Sequence, residues 1–117
     1  MPRSYIKINN YSNNGNLYIA SKVFKDIAIA KIKNAKGVYI GNEEVSKKGK
    51  NHNFDFDKNI ICTYKDGYAE LYIHINVKKG VDVNELCLNL QKEISDEIFV
   101  LLEQVPVKIK IKVGNII

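Results

Sequence analysis

The run from Tyr68 to Val113 constrains the fold most, because it carries two different periodicities in a fixed order. From Tyr68 to Val77 apolar residues hold alternate positions (Ala69, Leu71, Ile73, Ile75, Val77), with Tyr68, Glu70, Tyr72, His74 and Asn76 between them. That is the pattern of a strand with one buried and one wet face. Residues 108–113 repeat the alternation, with Lys108, Lys110 and Lys112 on the outward side. Between the two, Val83, Leu86, Cys87, Leu90, Ile94, Ile98, Leu101 and Val105 recur at steps of three and four. They predict an amphipathic helix over residues 82 to about 103. A strand–helix–strand run of this length is a crossover that lays its two strands parallel. The helix covers one face of the sheet and leaves the other to water or to a partner.

A chain of 117 residues makes one domain that can bury a core without staples. No apolar run approaches the roughly 20 residues that span a bilayer, and the N-terminus lacks the apolar stretch of a signal peptide, so the expected compartment is the cytoplasm. Cys62 and Cys87 fall on inward positions of a strand and a helix and read as reduced core residues. The net charge of +5 is unevenly spread. Residues 1–40 carry seven basic groups and one acidic group, whereas residues 82–104 carry one lysine and six acids. Helices of opposite sign on one sheet face attract each other, so part of the basicity is answered within the fold. A nucleic-acid binder more often gathers positive charge on one face.

Residues 1–16 are polar and Asn-rich; Tyr5, Ile6 and Ile8 offer a short edge strand, but the composition favours a mobile leader, followed by a single domain over 17–117. Residues 17–20 form a brief strand, and Ser21 stands where an N-cap belongs. A first helix runs from Lys22 to about Lys36 and stops at Gly37. Lys31 falls inside its apolar face, the ordinary position of a lysine that lays its stem along the core. Residues 38–41 follow as a short strand or as the exit from the helix. Residues 42–58 break both periodicities and read as a flexible loop, with Phe54 and Phe56 able to dock back. His52, Asp55 and Asp57 within it are loop residues rather than a metal site. Ile60 to Tyr64 is a strand, and Asp66-Gly67 a hairpin turn that sets Ile60, Cys62 and Tyr64 beside Ile73, Leu71 and Ala69 on the buried face. Asp82 with Glu85 forms a capping box at the second helix, with Val81 and Leu86 as its staple. The expected fold is α+β: one small domain in β-α-β-β-α-β order, a mixed sheet with two helices packed on one face.

This order, and the residues that carry it, resemble the alkaline shock protein family, small cytoplasmic proteins of Gram-positive bacteria and relatives associated with the envelope stress response. One match runs from Leu17 through Ser21, Val23, Ile27 and Ala28 to Gly37-Val38. The other runs from Ala69 to Val77, through Lys79-Gly80-Val81-Asp82-Val83-Asn84-Glu85-Leu86 and Leu90-Gln91, to residues 107–113. Lys31 stands where the family prefers a small residue, Lys79 where it prefers Tyr, and Asn84 where Pro is frequent. The Thr-Gly step after the second helix is missing near Leu102-Glu103, and the loop 42–58 belongs to this chain alone. The resemblance implies a non-catalytic interaction or scaffold protein in cell-envelope stress response or homeostasis. It implies self-association as a homo-oligomer, and recruitment to the membrane periphery by a small membrane-anchored partner rather than insertion.

The residues add three readings of their own. For an enzyme there is little: the two histidines lie on unrelated elements, and neither a Gly-rich phosphate cradle nor a metal-ligand spacing is present, so no catalytic, cofactor or metal residues are assigned. For assembly, Leu88 and Phe99 lie three turns apart on the second helix opposite its core stripe, with Leu102 nearby. Apolar residues aligned there would be exposed in a monomer, and such stripes often mark contacts, the alternative being scattered surface hydrophobes. For nucleic acid, Tyr72 and His74 share the open sheet face with Lys108, Lys110 and Lys112, aromatics for stacking beside lysines for phosphates. This RNA- or DNA-binding alternative ranks second, because alternating lysines also serve simply to keep a sheet soluble and discourage edge pairing.

Overall fold

The protein is described by a computed structural model over residues 5–12, 15–40, 43–44, 58–65, 67–102 and 106–117. Its hub is β6 (Tyr68–Val77), whose alternate residues Ala69, Leu71, Ile73, Ile75 and Val77 are all buried. On one edge β7 (Val107–Ile116) runs parallel to it, in the register Glu70↔Lys108, Tyr72↔Lys110, His74↔Lys112. The crossover between them is α2 (Val83–Leu101), and Gln91 Nε2 ties that helix to the strand by donating to the Ile109 carbonyl at 2.9 Å. On the other edge β5 (Ile60–Lys65) pairs antiparallel from Ile60↔Ile73 to Lys65↔Tyr68. Past the end of β5, β3 (Val38–Ile40) takes over that edge through Val38↔Val77 and Tyr39↔Asn76, and β4 (Glu43–Glu44) pairs with β3.

The sheet is therefore mixed, and one core serves the domain. α1 (Ser21–Asn34) contributes Phe24, Ile27, Ala28 and Ile32, and α2 contributes Leu90, Ile94 and Ile98 to the same cluster as the buried side of β6. The fold is the expected α+β domain, with three strands added to the β-α-β-β-α-β order. The hairpin register is the one the Asp-Gly turn dictates: Ile60, Cys62 and Tyr64 stand opposite Ile73, Leu71 and Ala69. Gly67 takes φ +83°, as such a turn requires. Asp82 caps α2, its Oδ1 accepting from the Glu85 amide at 3.1 Å.

Four expectations are corrected. The stretch read as a leader contains β1 (Tyr5–Ser12), which pairs antiparallel with β2 (Gly15–Ala20) in a separate two-stranded sheet. Ile6 faces Ile19 across that pair, and both are buried in the main core, which gives the strand a reason to form despite its polar composition. Ser21 is the first residue of α1 rather than its cap; Ala20 occupies the cap position and no side chain closes it. Tyr64 keeps its register but is 40 % exposed, near the hairpin end of β5, where the strand's alternation of buried and exposed residues gives out. Leu101 is 60 % exposed although its spacing put it in the core stripe. The helix ends there: Leu102 leaves the helical path at φ −139°, donates its amide to the Ile98 carbonyl, and packs against the core in its place. Of the loop 42–58, β4 and Lys58 are described; Phe54, Phe56, His52, Asp55 and Asp57 lie outside the described residues, as does Val105.

Candidate functional site

Strand alternation and the β6–β7 register together build the open face. Because β7 is parallel and in phase, the three central outward residues of β6 each have a lysine beside them: Glu70 with Lys108, Tyr72 with Lys110, His74 with Lys112. The sequence placed Tyr72, His74, Lys108, Lys110 and Lys112 together, and the structure brings all five onto one surface, each of them exposed. On the β5 side Ile61 stands opposite Tyr72, and Thr63 opposite Glu70.

Within this face the lysines differ in their surroundings. The Lys108 ammonium lies 4.6 Å from the centre of the Tyr68 ring and that of Lys110 5.1 Å from the centre of the Tyr72 ring, both within cation–π range. Glu70 is on the open side by register yet only 5 % exposed, covered by its neighbours. Its carboxylate accepts from the Tyr72 hydroxyl at 3.1 Å and pairs with Lys110 at 3.6 Å, while Lys110 donates to the Tyr72 oxygen at 3.4 Å. The hydrogen bond to Tyr72 and the charge of Glu70 hold the Lys110 pKa above its ordinary 10.5. No carboxylate pairs with Lys112 or Lys58 among the described residues.

His74 is set by the far end of β7. There Ile75 faces Val113 but Val77 faces Ile116, so Gly114 and Asn115 together oppose Asn76 in a bulge. The Asn115 amide donates to Asn76 Oδ1 at 2.9 Å. A Cβ on Gly114 would lie 2.5 Å from His74 Nε2, so the imidazole rests against bare backbone. Beside it is a groove of about 270 Å³, lined by Lys58, Ile61, Tyr72, His74, Lys110 and Lys112 among others. Lys58 and the neighbouring Asn59 were not singled out from sequence. They close a segment with no periodicity, and only the long-range β5–β6 pairing carries them to this face.

The second candidate surface is α2. Leu88 and Phe99 are exposed, as the pattern requires, at 57 % and 64 %. Leu102, grouped with them on sequence, is half-buried against the core and leaves the set, since the helix has already ended. Val100 and Leu101 take its place: with Phe99 they gather exposed apolar surface at the C-terminal end, while a Lys92–Asp96 ion pair of 2.8 Å lies along the helix between Leu88 and Phe99. On the flank towards α1, Lys31 meets Glu97 at 3.2 Å, a direct contact between the basic and acidic helices. Both cysteines are free thiols, Cys62 buried and Cys87 half-buried. Among the described residues no cluster of three or more His, Cys, Asp or Glu side chains could hold a metal, and no helix is long and apolar enough to cross a membrane.

No family model, no curated protein and no solved structure matches the chain.

Proposed function

We propose that this chain is a non-catalytic scaffold protein that works by associating with copies of itself through the exposed apolar side of α2. The observation that carries the proposal is the exposure of Leu88 and Phe99 on a helix whose opposite side is consumed by the core, with Val100 and Leu101 exposed beside Phe99 where the helix ends. Large apolar side chains gathered at one helix end lose unfavourable hydration when a second surface covers them. The flanking acids Glu93 and Asp96 form a polar rim of the kind that surrounds apolar contact centres. The resemblance to alkaline shock proteins supplies the setting: a cytoplasmic role in cell-envelope stress response or homeostasis, with a small membrane-anchored partner holding the assembly at the membrane periphery.

Sedimentation velocity tests the association. Wild type is expected to sediment as an oligomer at tens of micromolar, and the Leu88→Glu/Phe99→Glu double variant as a folded monomer. Two equally monomeric samples would remove the proposal.

A further inference from the structure

We propose that the open sheet face carries a nucleotide-sized phosphate site, in a notch where the second edge of β6 changes partner, with Lys58 and Lys112 as its cations. The ladder makes the notch. β5 stops opposing β6 at Ile73 and β3 begins at Asn76, so among the described residues His74 and Ile75 have β7 on one side and no paired strand on the other. Lys58 and Asn59 lead into β5 at this point and form one wall of the groove.

The lining has the two chemistries a nucleotide needs. For the phosphate there are three ammonium groups and an imidazole around one groove. Lys110 is already engaged by Glu70 and Tyr72, whereas Lys58 and Lys112 face no carboxylate among the described residues. Like charges brought to one concave surface repel, and an anion between them relieves the repulsion. For a flat apolar body there are the side chain of Ile61, 51 % exposed, and the ring of Tyr72, 39 % exposed, which are direct cross-strand neighbours. Base-on-aromatic stacking is sequence-tolerant, because every base presents a π-face. The volume of about 270 Å³ lies just below the ~300–1,000 Å³ typical of small-molecule sites. Gly114 completes the site by giving His74 room at its wall. The nucleotide unit has two sources, a free mononucleotide or one residue of a single strand passing across the sheet. The site is separate from the α2 surface, so the Leu88→Glu/Phe99→Glu variant retains it.

Fluorescence anisotropy of a labelled twelve-residue oligothymidylate against the full chain, at 50 and 200 mM salt, tests the proposal. Wild type is expected to bind, and to bind less tightly at the higher salt. Lys58→Ala/Lys112→Ala is expected to weaken binding about tenfold and to flatten the log–log salt dependence by about 1.4, since each phosphate contact with a single strand contributes about 0.7. Lys22→Ala/Lys36→Ala, which removes the same charge from α1 and the turn that follows it, is expected to change affinity less than twofold. Gly114→Ala, which displaces His74, weakens binding with the unfolding midpoint little changed. Thymidine monophosphate that displaces the strand identifies the free nucleotide as sufficient; a strand that binds while the monophosphate does not identifies the single strand as the ligand. Absence of binding at 50 mM salt, equal weakening by the two lysine pairs, or equal displacement by inorganic phosphate or polyglutamate overturns the proposal.

Discussion

The two faces of β6 are built from alternate residues of one strand, and they solve the problem of facing their surroundings in opposite ways. On the helix side Ala69, Leu71, Ile73, Ile75 and Val77 are each at most 1 % exposed, and nothing beyond apolar bulk is asked of them. On the open side Tyr68 and Tyr72 are 38 % and 39 % exposed, and lysines from β7 lie over both rings. Glu70 marks the boundary of the contrast. It belongs to the open face by register but is covered like a core residue, and it stays there because Tyr72 and Lys110 answer its charge. Stability thus resides mainly on one side of the strand and the proposed recognition on the other, so the two can be perturbed separately.

The largest expected effect is on the helix side. Leu71→Ala leaves a cavity in the shared core, and truncations of this kind cost about 2–5 kcal/mol. Urea unfolding followed by circular dichroism measures it. A loss below about 1 kcal/mol would mean that the site collapses freely and that the helix side is not a tightly packed face.

How much of this contrast can be read in the sequence depends on how local its determinants are. Alternation in β6 and β7, the Asp66-Gly67 turn and the Asp82 cap each act over a few residues, and the parallel crossover, the β5–β6 register and the start of α2 follow from them. β1 carries a local signal too, since Asn14-Gly15 is a hairpin turn dipeptide, but Asn-rich composition outweighs it until Ile6 is seen to meet Ile19. The exchange of Leu101 for Leu102 lies beyond any periodicity, because a helical repeat holds only while the backbone stays helical and α2 ends between them. The groove is the least legible feature. Lys58, Tyr72 and Lys112 are far apart in the chain and meet only because β5 and β7 flank β6 on opposite edges.

A smaller effect, confined to alkaline pH, separates the faces by titration. Cys62 faces the core side, and burial pushes its thiol from the ordinary 9.0 up to about 11, against the opposing influence of Lys25. Below pH 9 the thiol is neutral in native and unfolded chains alike and contributes no pH dependence. Between pH 9 and 11 the unfolded chain has given up the proton while the native state keeps it, so stability falls as pH rises, and above 11 the loss levels off. Lys110 on the open face is also raised; its contribution is present below 10.5 and is lost above it. Unfolding free energies of wild type and Cys62→Ala measured from pH 8 to 11 therefore isolate the thiol: their difference should shrink as pH rises above 9. A constant difference across that range would place Cys62 in contact with water.

The smallest expected effect is Lys112→Ala, which sits one strand away from Leu71 and on the other face. Lys112 is exposed, pairs with no carboxylate among the described residues, and lies beside His74 rather than over a ring. Its removal deletes no buried area and breaks no ion pair, so the unfolding free energy should move by no more than about 0.5 kcal/mol. A slight gain is the more informative outcome, because relief of repulsion from Lys58 and Lys110 around the shared groove predicts that sign. The same urea titration repeated at 1 M salt tests the cause: screening should erase a gain that comes from like charges. A destabilisation as large as that of Leu71→Ala would contradict the division of labour between the faces, since it would make a solvated lysine part of what holds the sheet together.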